Sequence, residues 1–172
     1  MAVLTKARQK EIDAIISEVE LRTGLSYPEN NLLELAKAED IAVYEADLSA
    51  LGPNISGVIE YSNDTKKTDP KIFLNKNISA KRKVFTLAHE LGHHFLHEGR
   101  KLRVDNLDYS KDDKDTQDET EANYFAASIL VPQEIFLYKL RHGSSTAELA
   151  EYFGVSLPVI ENRLKWVSTN GS

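Results

Sequence analysis

His89-Glu90-Leu91-Gly92-His93 is the stretch of this 172-residue sequence whose residue types and spacing carry chemistry. Residues i and i+4 of an α-helix stand one above the other on one face, so two imidazoles at this spacing can hold a single metal ion. Glu90 is turned from His89 by roughly 100° about the helix axis. Its carboxylate therefore flanks the metal, where it can take a proton from metal-bound water. This is the H-E-x-x-H pattern, which has that meaning only when it lies on a helix. The plain alternative is a surface helix rich in histidine, and four of the five histidines (His89, His93, His94, His97) do fall within nine residues. His94 and His97 lie at other helix angles and read as rim residues. Gly92 in a helix interior costs ~1 kcal/mol against Ala, which predicts close approach of another element beside the site.

A catalytic zinc site needs a third protein ligand and an open position. The chain has no cysteine, which excludes a disulfide framework, thiol catalysis and cysteine-rich zinc folds. His142 and the acidic residues are left as candidates. The best context is Asp118-Glu119-Thr120-Glu121-Ala122-Asn123-Tyr124-Phe125-Ala126-Ala127, a helical run with small residues on one side and apolar Ile129-Leu130-Val131-Pro132 after it. Small residues there also fit plain helix packing.

The elements that must position these residues follow from periodicity and punctuation. Ala7 to Thr23 predicts an amphipathic helix with Ile12, Ile15, Ile16, Val19 and Leu21 as its stripe, stopped by Gly24. Asn30 or Asn31 can cap a second helix to about Ala38. Ile41–Tyr44, Ile55–Tyr61 and Lys71–Leu74 are β-rich runs parted by turn residues. Ser79 can cap the helix that carries the motif, about Ala80 to His97, ended by Gly99. Arg100 to Asp118 predicts an irregular surface loop. Helices follow from near Thr116 to Leu130, over Gln133–Leu140, and as a terminal pair, Thr146–Phe153 and Leu157–Val167. The fold class expected is α+β: one compact zincin-like domain, with a short, mostly antiparallel three-stranded sheet packed on the H-E-x-x-H helix. Residues 1–141 form the core of this reading, and 142–172 a helical hairpin packed on it or appended to it. The Lys71–Leu74 strand is expected at a sheet edge, where it could align an extended substrate by β-addition.

Composition narrows the function classes. Apolar residues make up 41% and charged residues 28% of the chain, so neither a disordered chain nor a membrane protein fits. The charged N-terminus does not read as a signal peptide, and the expected compartment is the cytoplasm. A formal net charge of −6 argues against broad binding to nucleic acid or an anionic membrane. Lys66 to Lys83 carries seven basic residues and one acidic; Glu98 to Glu121 carries nine acidic and five basic. Two solvated surfaces explain these blocks, or they shape the field around the motif between them.

Three blocks give the sequence a wider resemblance: Ile55-Ser56-Gly57-Val58-Ile59 with the later Ile72-Phe73-Leu74-Asn75; Phe85 through His97 around the motif; and Glu119 through Pro132. Together they resemble the ImmA/IrrE-type metallopeptidases over about residues 28 to 135. The resemblance implies a gluzincin-like core and zinc-dependent cleavage of a cytoplasmic regulator, typically a helix-turn-helix repressor. The loop before Glu119 and the C-terminal tail lie outside the resemblance.

Helix geometry then favours Glu119 over Glu121 as third ligand. The two point about 200° apart and cannot both face one metal. Glu119 shares its side with Ala122, Asn123, Ala126 and Leu130, small enough to pack near Gly92, whereas Glu121 shares its side with bulkier Tyr124, Phe125 and Ser128. Asn123, one turn on, can accept a hydrogen bond from the outer ring nitrogen of His89 or His93. One Zn2+ per chain is expected, on His89, His93 and Glu119, with Glu90 as general base. Tyr109, Tyr124, His94 and His142 are candidate oxyanion donors that sequence does not separate.

A competing reading comes from the C-terminus. Thr146 to Leu164 has the core and turn spacing of a helix-turn-helix, with Gly154-Val155-Ser156 as the turn. Its second helix offers Pro158, Glu161, Asn162, Arg163 and Lys165, poor in phosphate-neutralising charge. Direct DNA binding is therefore disfavoured against a packing or partner-docking role. The alternative function is a non-proteolytic regulator that binds the repressor, or DNA, through this segment.

Overall fold

In a computed structural model, described over residues 3–63, 66–97, 102–106 and 113–170, the described residues form seven α-helices and one mixed sheet. In chain order they are α1 (Lys6–Thr23), α2 (Leu32–Ala38), β1 (Ala42–Ala46), β2 (Ile55–Glu60), β3 (Lys71–Asn75), α3 (Ala80–Leu96), β4 (Leu102–Asn106), α4 (Asp113–Leu130), α5 (Gln133–Arg141), α6 (Thr146–Phe153) and α7 (Leu157–Asn170). Side-chain caps fix many of the starts. Thr5, Asn31, Ser79 and Ser145 each accept a hydrogen bond from a backbone N–H of the first turn, and Ser145 with Glu148 completes a capping box.

The sheet runs β1-β3-β2-β4, with β1 parallel to β3 and both other pairings antiparallel. The three strands expected from sequence are joined by a fourth. Residues 102–106, read as part of an irregular loop, pair with β2 from Ile55 to Glu60. The loop is shorter than expected for a second reason: α4 begins at Asp113 rather than near Thr116. A further correction concerns β3. It lies between β1 and β2 and is paired on both sides, so Lys71–Leu74 has no edge to offer an extended substrate. The edges are β1 and β4.

One face of the sheet packs on α3, and α3 packs on α4. The main core joins Ile59 and Ile72 of the sheet, Leu87 and Leu91 of α3, Phe125 and Leu130 of α4, Phe136 of α5, and Phe153 and Ile160 of the last two helices. A smaller cluster of Leu48, Ile55 and Val58 is packed by Ala46 and Phe73. β2 is therefore buried almost throughout, as a central strand covered on both faces should be. Among the described residues no helix is long and apolar enough to cross a membrane.

α7 is fastened to the core through a charged residue. Arg163 is 4% exposed. Its guanidinium donates to the Val131 carbonyl at 3.0 Å and the Ser128 hydroxyl at 3.4 Å. A residue read from sequence as possible DNA contact is thus an internal tie, and burial lowers its pKa.

Candidate metal centre

The motif helix presents its histidines toward α4 because the two helices come unusually close. A Cβ built on Gly92 would lie 3.2 Å from the Ala122 Cα and carbonyl oxygen and 3.2 Å from the Phe125 Cβ. Glycine at 92 and the small Ala122 make this approach possible. Phe125 also faces the contact, although its bulk was expected to place it on the opposite side. The β-carbon alone touches Gly92, and the ring extends to stack on Phe95 at 5.9 Å.

At this crossing the Nε2 atoms of His89 and His93 stand 3.1 Å apart. Glu119 Oε2 is 3.0 Å from His89 Nε2, and Oε1 is 3.1 Å from His93 Nε2. His89, His93 and Glu119 form a group that could hold a metal ion, with donor atoms within 4.8 Å of one another. Two imidazoles and a carboxylate with an open side are a donor set typical of zinc. Tetrahedral coordination at ~2.0–2.1 Å places ligand atoms about 3.3 Å apart, close to the spacing here. The residues present fit the ion.

Each imidazole is held from behind. His89 Nδ1 lies 2.9 Å from Asn123 Oδ1, so Nδ1–H donates and Nε2 is left with its lone pair toward Glu119. His93 Nδ1 lies 2.9 Å from His97 Nδ1, and His97 Nε2 lies 3.2 Å from Glu121 Oε1. Arg8 of α1 donates to that same oxygen through Nε at 3.0 Å and Nη2 at 2.7 Å. Burial alone pushes the Glu121 carboxyl up, but the hydrogen bonds from Arg8 and Gln117 outweigh it and hold the pKa below its ordinary value. His97, read from sequence as a rim residue, is therefore part of the centre's support, and Glu121 ends the chain that begins at His93. No local pattern announced this. His97 is merely four residues after His93, while Arg8 is 113 residues from Glu121.

Glu90 is fully buried, 0% exposed, between α3 and the sheet. β2 makes room for it with a glycine. A Cβ on Gly57 would sit 2.5 Å from Thr86 Cγ2 and 3.2 Å from Glu90 Oε1.

Three of the four oxyanion candidates lie among the described residues, and each has its polar group engaged elsewhere. The Tyr124 hydroxyl donates to the Asp13 carboxylate at 3.0 and 3.1 Å; burial and the Asp13 charge push its pKa up to about 12. His94, one turn after Glu90, has its Nδ1 2.9 Å from the hydroxyl of Tyr61, the residue after β2. Burial, with Lys67 nearby, lowers its pKa to about 4. His142 is exposed at the end of α5, stacked on Tyr138 and donating to that residue's carbonyl at 2.7 Å. Tyr109 lies outside the described residues.

Residues 38–165 match the family model of the IrrE N-terminal-like domain, a peptidase family. The chain belongs to this family. Over 143 residues it is 29% identical to Metallopeptidase ImmA of Bacillus subtilis (strain 168), covering 81% of this chain and 78% of that relative. In this IrrE N-terminal-like peptidase the matched span takes in His89, His93 and Glu119, and also α6 and most of α7, beyond the span over which sequence blocks alone suggested kinship. It begins after α1, so Arg8 lies outside it.

Proposed function

We propose that this peptidase is a zinc-dependent metalloendopeptidase that cleaves a helix-turn-helix transcriptional repressor in the cytoplasm. The observation that carries the catalytic half is the meeting of His89, His93 and Glu119 within ligand distance of one another, beside a fully buried Glu90. The substrate half rests on the family resemblance.

His89, His93 and Glu119 would hold one zinc ion. When bound, it supplies Lewis-acid polarisation of the scissile carbonyl. Glu90 accepts a proton from the attacking water and delivers it to the leaving amine, and its burial beneath β2 keeps the carboxylate in one place. Asn123 and His97 each accept an Nδ1–H, which fixes both imidazoles in the tautomer that offers Nε2. Glu121, ionised beside Arg8, holds His97 in turn. Direct DNA binding gains nothing from the structure, because Arg163 is internal and the α7 stripe of Pro158, Asn162 and Trp166 lines a cleft.

The test is co-expression with a helix-turn-helix repressor encoded beside this chain, followed by mass spectrometry of the repressor. A fragment produced by wild type, and reduced by roughly 10²-fold or more in Glu90→Gln, supports the reading. An intact repressor whose target genes are nevertheless released equally by both proteins would make the chain a binder rather than a protease.

A further inference from the structure

A cleft of about 530 Å³ is lined by residues of α3, α4 and α7, within the roughly 300–1,000 Å³ of small-molecule sites. None of His89, Glu90, His93 or Glu119 lines it. It meets the metal centre only from behind, at Asn123, whose Oδ1 is 2.9 Å from His89 Nδ1. The cleft is thus separate from the reacting groups, yet it shares a lining residue with their support.

Two features of the lining define what it can hold. The first is aromatic. Phe85 of α3 and Trp166 of α7 both line the cleft, and both are half-buried. Phe85 is braced against His89, with ring centroids 6.4 Å apart, and Trp166 against Tyr124 at 5.1 Å. Each ring is held in place while leaving surface to the cleft, and such surfaces stack on planar rings. The second feature is charge. Lys81 and Arg82 are lining residues and no acidic residue is, in a chain whose net charge is −6. Lys81 is paired with Glu151 at 2.6 Å. Arg82 is exposed, and among the described residues only its backbone N–H is engaged, by the Ser79 cap. Its guanidinium is left for an anion, and its planar fork suits a carboxylate or a phosphate.

We propose that the cleft is an effector site for a small anion that carries a planar aromatic ring, an aryl carboxylate or a mononucleotide, and that its occupant reinforces the metal centre through Asn123. The ring stacks on Phe85 and Trp166, and the anionic group meets Arg82. Filling the cleft confines the Asn123 carboxamide to the orientation that accepts His89 Nδ1–H, which keeps His89 Nε2 turned to the metal. By linkage, an effector that favours bound zinc is itself bound more tightly when zinc is present. The binding site stands apart from the peptidase reading, whereas its effect on the centre rests on His89 as a metal ligand.

Trp166 is the only tryptophan in the chain, so its emission reports on the cleft directly. The zinc-loaded wild-type chain is titrated with two anions, hydrocinnamate and adenosine monophosphate, and with their uncharged counterparts, hydrocinnamamide and adenosine. A saturable change in Trp166 emission is expected, with at least one anion binding about tenfold or more tighter than its uncharged counterpart; the tighter of the two anions names the source. Arg82→Gln should remove that preference, and Arg82→Lys should keep part of it. Asn162→Phe, at an exposed position whose new ring would fill the cleft, should block the probe while zinc stoichiometry stays at the wild-type value. In chelator competition, saturating probe should raise zinc affinity about fivefold. No change in emission with either anion at millimolar concentration, or equal binding by the uncharged counterparts, overturns the site even if the holoenzyme cleaves proteins. Selective binding that leaves zinc affinity unchanged overturns the coupling through Asn123. Selective binding by a chain that takes up no zinc leaves the cleft standing and defeats the metallopeptidase reading instead.

Discussion

Gly57→Ala tests whether β2 and α3 are as closely fitted around Glu90 as their geometry states. The added Cβ would stand 2.5 Å from Thr86 Cγ2, 3.2 Å from Glu90 Oε1 and 3.5 Å from Glu90 Cγ. Ordinary contact begins at 3.4 Å, so strand and helix must part by about 0.9 Å at this point. Thr86 is 4% exposed and branched at Cβ, which leaves its methyl little rotamer freedom to yield. Gly57 cannot retreat easily, because its strand is paired to Leu74 on one side and Asp105 on the other. Overpacking of this kind costs about 1–3 kcal/mol, or roughly 2–12 °C of melting temperature in a domain of this size. The displacement falls on Glu90, and a misplacement near 1 Å costs on the order of 10²-fold in rate. Zinc affinity should stay close to wild type, since its ligands sit on α3 and α4, which move together. Thermal melts of the metal-free protein, chelator competition and the rate of repressor cleavage read the three quantities separately. Adding Thr86→Ser to Gly57→Ala deletes the methyl behind the worst contact and should return most of the stability. A Gly57→Ala protein that melts and cleaves like wild type, or a double mutant with no recovery, refutes the reasoning.

Replacing His97 with Leu should weaken zinc by about 10–100-fold in chelator competition, whereas His97→Asn, whose side-chain oxygen can accept the His93 Nδ1–H, should retain most of the affinity; equal binding by all three proteins would detach His97 from the centre. His94 gives a pH signature. Its pKa is about 4 when folded, against 6.5 ordinarily, so the unfolded chain takes up the proton first. The stability it contributes is whole above pH 6.5 and is lost as pH falls toward 4, by up to about 3 kcal/mol. Denaturant melts of metal-free wild type and His94→Phe should diverge over that window, and parallel curves would refute the assignment.

Local signals made much of the architecture legible. Ser79 announced a helix start that the structure keeps, and of Asn30 and Asn31 it is Asn31 that caps α2. The difference in angle between Glu119 and Glu121 said only that the two cannot face one point together; Ala122, Ala126 and Asn123 favoured Glu119, whose oxygens lie 3.0 Å and 3.1 Å from His89 and His93 Nε2. What escaped is non-local. Leu102-Arg103-Val104-Asp105-Asn106 alternates too briefly within a charged run to read as a strand, and it becomes one by pairing with β2. The interior place of β3 depends on the parallel partner β1, which arrives by a crossover that no local pattern encodes. The roles of His97 and Gly57 are set by Glu121, Arg8, Thr86 and Glu90, all brought in by tertiary packing.

Metal content of purified protein bears most directly on the centre formed by His89, His93 and Glu119. Elemental analysis of wild type should find about one zinc per chain. His89→Ala with His93→Ala should hold none and lose the stability that bound zinc adds, and Glu119→Gln should bind at least tenfold more weakly. Full zinc occupancy in the double histidine mutant, or none in wild type, would contradict the site.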